Sequence, residues 1–308
     1  MQAIVIHEYG GPHTLAFEEA PDPRPGPDMV VVELRAAGVN PVDWKIREGY
    51  LHDVFPSYLP LIPGWDAAGV VRAIGPAVQE FHVGDAVVGY VRKDYIQHGT
   101  YAELVAGTPR HFAPKPSSVD FTAAAGLPLA GLTAVQSLRL AGVGAGDTVL
   151  VHAAAGGVGS FAVQWAQVLG AQVVGTASAA NQDYLRELGA RPVTYGDGLA
   201  ERVQQAAPDG ITASVDYIGT KEALAASAEL VGDPQRIVSN VNSRGVAAVG
   251  GRYSFVRPQA EDLAELSRQV DAGAVRIVVQ EAFPFSDVAR AHEISRDGHV
   301  RGKLVLEL

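Results

Sequence analysis

The residues best suited to chemistry lie at 148–160, which read Thr-Val-Leu-Val-His-Ala-Ala-Ala-Gly-Gly-Val-Gly-Ser. A short apolar strand runs into Ala155, Gly156, Gly157, Val158 and Gly159, and a helical pattern follows. Strand, glycine turn and helix in that order are what a dinucleotide site needs. Gly156 and Gly157 let the backbone approach a pyrophosphate closely, and Gly159 lets the helix pack tightly on the strand. Free amides at the helix start then face the phosphates with a favourable dipole. Ala154 stands where the usual motif has its first glycine.

The next strand separates the two common nicotinamide cofactors. An NAD site usually offers an acid about 20 residues on, to bind the ribose 2′-hydroxyl. Here that strand ends Gly175-Thr-Ala-Ser178-Ala-Ala, with no acid. A carboxylate repels a 2′-phosphate and Ser178 does not, so the expected cofactor is NADPH. His152 follows a buried strand and reads as a core histidine, not a base.

The surrounding elements change character along the chain. Residues 3–6, 30–37, 69–74, 86–91 and 102–106 are strand-like runs separated by turns, and Pro21, Pro23, Pro25 and Pro27 mark an extended connection. No long helical pattern is present there, so residues 1–118 read as an all-β unit. From residue 122 helices and apolar strands alternate. Helical spacing covers 122–140, interrupted at Leu127-Pro128, then 158–169, then 183–188 closed by Gly189. Strands are expected at 148–152, 172–176, 191–195, 214–218 and 236–241, with helices between them. That alternation predicts a parallel sheet covered on both faces. A helix at 262–272 and strands at 276–283 and 303–308 complete the pattern.

Composition limits the partners. Hydrophobic residues make up 47% and charged residues 19% of 308, the balance of a compact enzyme. The net charge of −10 argues against a nucleic acid or an anionic membrane as main partner. The chain has no cysteine, which removes thiolate nucleophiles, iron–sulfur ligation and Cys-based zinc sites. No signal peptide or membrane span is legible, so a cytoplasmic location is expected.

Several spaced motifs together resemble one family. They are Gly38-Val-Asn-Pro-Val-Asp43, Pro63-Gly-Trp-Asp-Ala-Ala-Gly69, Gly84-Asp85, Gly99-Thr-Tyr-Ala-Glu103, Leu132-Thr-Ala134, the glycine turn and Arg301-Gly-Lys303. In this order they resemble the medium-chain dehydrogenase/reductase superfamily, in its zinc-free quinone oxidoreductase branch. The resemblance implies a GroES-like β domain at 1–120 and 265–308, and a doubly wound Rossmann domain that binds NADP at 121–264. It also implies a homodimer.

Zinc-dependent relatives place a catalytic Cys where this chain has Asn40, and the His of a Gly-His-Glu motif where it has Trp65. Without that Lewis acid a hydroxyl is hard to activate, so the implied substrate is a small quinone or enone that already accepts hydride. The resemblance puts Asn40 beside the nicotinamide as a donor to the developing oxyanion. Lys45 and Tyr50, on the following loop, are candidates to supply the proton. Trp65 and Arg257 are expected in the substrate pocket, and Thr133, Tyr195 and Lys303 on the cofactor. Positions that are often basic in NADPH-reading relatives hold Asn181 and Gln182. The same residues also fit a second class, an NADPH-binding sensor or structural protein that has lost turnover.

Overall fold

Runs rich in β-branched residues, such as Val30–Val39, pair into sheets because their alternate side chains can be buried on a pleated surface. The computed structural model describes residues 1–308, which divide into two compact units. The first comprises Met1–Leu129, Arg257–Gly273 and Ile277–Leu308; the second comprises Ala130–Val256 and Ala274–Arg276.

The first unit holds two sheets. The larger orders its strands Val279–Pro284, Lys303–Glu307, Val30–Val39, Asp66–Ile74, Ala86–Tyr90 and Phe112–Pro114, with Leu104–Gly107 also on Val30–Val39. The smaller orders Leu15–Glu19, Gln2–Ile6, Ser57–Ile62 and Ile96–His98. This unit is not all β. Asn40-Pro41 starts a helix, Pro41–Arg47, with Pro at its first turn and Asp43 reaching back to the Asn40 amide. Seven residues are too few to show a helical period, so the strand signals around them dominated the sequence reading. A second helix, Val288–Asp297, joins two parallel strands and stops at Gly298, whose φ of +76° suits glycine.

The second unit is a six-stranded parallel sheet ordered Arg191–Thr194, Gln172–Ala177, Thr148–His152, Ala213–Asp216, Ile237–Ser239 and Arg252–Tyr253. In chain order this is 3-2-1-4-5-6, the doubly wound arrangement whose order reverses beside its first strand. The compact units differ from the expected boundaries at both junctions. Helix Phe121–Ala125 packs on the strands Val30–Val39, Asp66–Ile74 and Lys303–Glu307, and helix Ala260–Asp271 packs on Phe112–Pro114. Residues 121–129 and 257–264 therefore belong with the first unit.

Candidate active site

The glycine turn sits on the first strand of the second unit, at the point where strand order reverses. Ala153 bends the chain with a φ of +53°, a value no other non-glycine residue here adopts on the positive side. Thr176, on the neighbouring strand, holds the bend: its hydroxyl accepts from the Ala153 amide at 3.2 Å and its carbonyl from Ala154 at 2.9 Å. Helix Gly157–Val168 then starts at Gly156 with no side chain capping it. Its first amides are left open for an anion. A Cβ on Gly159 would lie 2.2 Å from the Ala153 carbonyl oxygen, so the helix reaches its strand only because this residue is glycine. These features fit a dinucleotide pyrophosphate.

Ser178 follows the second strand, its hydroxyl accepting from the Asn181 side-chain amide at 3.3 Å, and Gln182 donates to the carbonyls of Ala177 and Ser178. Tyr195 is well exposed and Thr133 is buried in helix Pro128–Leu140. His152 is a core residue, with Nε2 at 3.0 Å from Ser227 Oγ.

In the first unit a buried polar cluster forms around Asn40. Its Nδ2 donates to Asp66 Oδ2 at 2.9 Å, and its Oδ1 accepts from Lys303 Nζ. Lys303 Nζ also donates to the Val39 carbonyl at 3.2 Å and lies 3.5 Å from Asp66 Oδ2. The Asn40 amide donates to Asp43 Oδ2 at 2.7 Å, and Tyr101 donates to the same oxygen at 3.0 Å. Beyond Tyr101 the cluster continues through His292 to Arg47. Gly38 makes room for it, since a Cβ there would fall 2.8 Å from Asp66 Oδ2. Burial pushes Asp43 up to about 7 and raises Asp66 as well, against the pull of Lys303 and their hydrogen-bond donors.

The structure thus joins two of the expected residues, Asn40 and Lys303, across 263 positions. Lys45 and Tyr50 instead gather on Trp44: the Lys45 ammonium lies 5.4 Å from one of its rings, and Tyr50 meets it edge-on at 5.9 Å. Burial lowers the Lys45 pKa. Trp65 is buried edge-to-face with Tyr90 and lines a small cavity with Lys93 and His98. Arg257 is exposed, and its Nη2 donates to Gln259 Oε1 at 3.4 Å. Asp66, Tyr101 and His292 escaped the sequence reading. For Asp66 a signal was present: an acid set directly before the apolar run Ala67–Val71.

The buried ionisable groups predict how acid acts on each unit. His152, the second unit's single histidine, is pushed down to about 4 by burial. A depressed folded-state value stabilises fully above the unfolded value of about 6.5, and that stability is lost as pH falls toward the folded value, at about 1.4 kcal/mol per pH unit. In the first unit His111, at about 4, and His292, at about 3, act the same way. Asp43 and Asp66 oppose them, because raised carboxyls stabilise more as pH falls. The second unit should therefore yield first between about pH 6 and pH 4. Hydrogen exchange should show strands Thr148–His152 and Ala213–Asp216 losing protection before Val30–Val39; simultaneous loss would contradict this.

No three His, Asp or Glu side chains are placed to hold a metal ion, and no helix is long and apolar enough to cross a membrane.

Comparison with known proteins places the chain. The alcohol dehydrogenase GroES-like domain matches residues 26–117, and the zinc-binding dehydrogenase domain matches 188–306. The chain is 35% identical over 315 residues to the chloroplastic NADPH-dependent alkenal/one oxidoreductase of Arabidopsis thaliana, covering 99% of this chain and 79% of the relative. It superposes on the quinone oxidoreductase from Coxiella burnetii with a TM-score of 0.88 at 32% identity, over 100% of this chain and 99% of that one. A mycobacterial protein solved with NADPH gives 0.84 at 30% identity, over all of both chains. With a glycine turn on a 3-2-1-4-5-6 sheet and a GroES-like unit, the chain belongs to the medium-chain dehydrogenase/reductase superfamily, in its quinone oxidoreductase branch.

Proposed function

We propose that this chain is an NADPH-dependent reductase that passes hydride to a quinone or an α,β-unsaturated carbonyl without a metal. The observation that carries the reading is the uncapped helix start behind the Ala153 bend, at the reversal point of the parallel sheet. Ala155, Gly156, Gly157, Val158 and Gly159 would hold the pyrophosphate there. Ser178 and Tyr195 would bind the 2′-phosphate, and Thr133 the nicotinamide end. NADPH, when bound, supplies the hydride.

As hydride reaches the acceptor, negative charge develops on its carbonyl oxygen. Asn40 Nδ2 has a second N–H beyond the one given to Asp66, and this donates to that oxygen. Lys45, its proton loosened by burial, and Tyr50 deliver the proton to the α-carbon or the second quinone oxygen. Trp65 and Arg257 border the acceptor. We read the protein as a cytoplasmic homodimer pairing through strand Arg252–Tyr253, which ends the sheet with Tyr253 exposed; sedimentation velocity gives the mass that decides this.

The test offers purified protein quinones, 2-alkenals and cyclic enones with each nucleotide and follows nicotinamide absorbance. NADPH should be consumed with one acceptor class and should bind at least about tenfold, or ~1.4 kcal/mol, more tightly than NADH. A preference for NADH would overturn the roles of Ser178 and Tyr195. Tight binding with no turnover across the panel would favour the sensor reading.

A further inference from the structure

We propose that Asp66 and Lys303 are positioning residues that lock the Asn40 side-chain amide in a single orientation, leaving one N–H of Nδ2 as its free donor. The proposal rests on the role given to Asn40 above. It begins with sheet order, since strand Val30–Val39 lies between Lys303–Glu307 and Asp66–Ile74. Leu304 pairs with Val39 and Ala68 with Ala36. Antiparallel register therefore brings Lys303, Asn40 and Asp66 to the same end of three adjacent strands.

The chemistry of the three side chains then fixes the amide. An ammonium can only donate, and an ionised carboxylate can only accept. Lys303 Nζ donates to Asn40 Oδ1, and Asn40 Nδ2 donates to Asp66 Oδ2. Flipping the amide would set its NH2 against the ammonium and its carbonyl against the carboxylate, turning two attractive contacts into two repulsive ones. Asp66 is itself held, because Oδ1 accepts from the Leu129 amide at 2.7 Å. Lys303 is anchored by the Val39 carbonyl. The Asn40 main chain is tied by Asp43. Asn40, Asp66 and Lys303 are 2%, 0% and 4% exposed, so water offers no alternative partners.

Burying a lysine and a carboxylate is costly, and apolar side chains of similar volume would usually fill such a space as well. What the charged pair adds is direction. The wild-type amide needs no reorientation as charge develops on the acceptor, which is how a preorganised donor gains its effect.

The experiment compares Asn40→Ala, Lys303→Met, Lys303→Arg, Asp66→Asn and the double variant Asn40→Ala/Lys303→Met, each checked for fold by circular dichroism. If the clamp acts through Asn40, Lys303→Met and Asp66→Asn lower kcat by up to the Asn40→Ala factor, on the order of a hundredfold. NADPH affinity changes less than about threefold, and the double variant is no slower than Asn40→Ala. Lys303→Arg, which keeps a donor, recovers part of kcat. Additive losses, or a kcat untouched by Lys303→Met, overturn the proposal. So does a weakening of NADPH binding beyond about tenfold in Lys303→Met, which would put Lys303 on the cofactor.

A second readout needs no turnover. The chain has four asparagines, so asparagine-selective 15N labelling yields four side-chain amide pairs. The Asn40 pair should exchange slowly with solvent in the wild type and at least about tenfold faster in Lys303→Met and Asp66→Asn. Unchanged exchange in both variants refutes the clamp even if no acceptor is found. A normal kcat in Asn40→Ala with changed exchange in the clamp variants would instead remove Asn40 from the reaction and leave its fixed orientation standing.

Discussion

Gly159→Ala should weaken NADPH binding by displacing the helix start, and Gly156→Ala should weaken it in a protein that still folds. The added methyl at 159 falls 2.2 Å from the Ala153 carbonyl oxygen and 2.6 Å from Ala154 Cα, both backbone atoms of the bend. Neither can give way without pushing the helix off its strand, a cost of about 1–3 kcal/mol or more. The helix start moves with it, so the NADPH dissociation constant should rise at least about tenfold. Position 156 differs. A Cβ there meets nothing nearer than the Ala153 carbonyl at 3.4 Å, and its φ of −75° suits any residue. Packing gives no reason for glycine at 156, so weaker binding in Gly156→Ala must come from the ligand side. Nucleotide fluorescence titration with circular dichroism separates the cases. Wild-type affinity in Gly156→Ala would show that the backbone there does not approach a pyrophosphate.

Arg47→Ala should lower stability by about 3 kcal/mol, the scale for removing one partner of a buried charge network. Arg47 is 1% exposed at the end of helix Pro41–Arg47. Its Nε donates to the Gly10 carbonyl at 3.1 Å, Nη2 to Glu48 at 2.6 Å, and Nη1 lies 3.3 Å from His292 Nδ1. Truncation strands these groups and leaves the volume of a long side chain empty. Glu48 keeps Arg296 at 3.0 Å as a partner, which limits the loss. Arg47→Lys should recover little, because one ammonium cannot serve three directions set by a planar guanidinium. Thermal unfolding should shift down by about 10 °C in the alanine variant. A shift below about 2 °C would mean that the network is not under load.

How much of this the sequence shows depends on how local each feature is. The glycine turn was legible because its requirements fall within thirteen consecutive residues, from Thr148 to Ser160. Five of the six strands of the parallel sheet were legible because short apolar runs such as Val149–Val151 and Val173–Val174 alternate with helical patterns, while the two-residue strand Arg252–Tyr253 went unread. Helix Pro41–Arg47 was hidden: two of its seven residues are buried charges, Asp43 and Arg47, so no apolar face marks it. Helix Val288–Asp297 carries the polar surface of a crossover and was passed over between two strands. The cluster around Asn40 was the least accessible. Its partners Asp66 and Lys303 come from strands 26 and 263 residues away, and only sheet register brings them together. A single sequence shows that those residues exist and not that they meet.

Strand Lys303–Glu307 lies between Val279–Pro284 and the Ala36–Val39 end of Val30–Val39. A growing chain therefore cannot complete the sheet begun by Val30–Val39 until Lys303–Glu307 emerges. The long run Ala130–Val256, by contrast, can be finished in one stretch. At about 5–20 residues per second, some 10–35 s of synthesis separate Leu129 from Lys303. During that interval the ribosome-bound chain carries an unpaired strand edge beside a domain able to fold, and that edge is where a nascent-chain chaperone should be found.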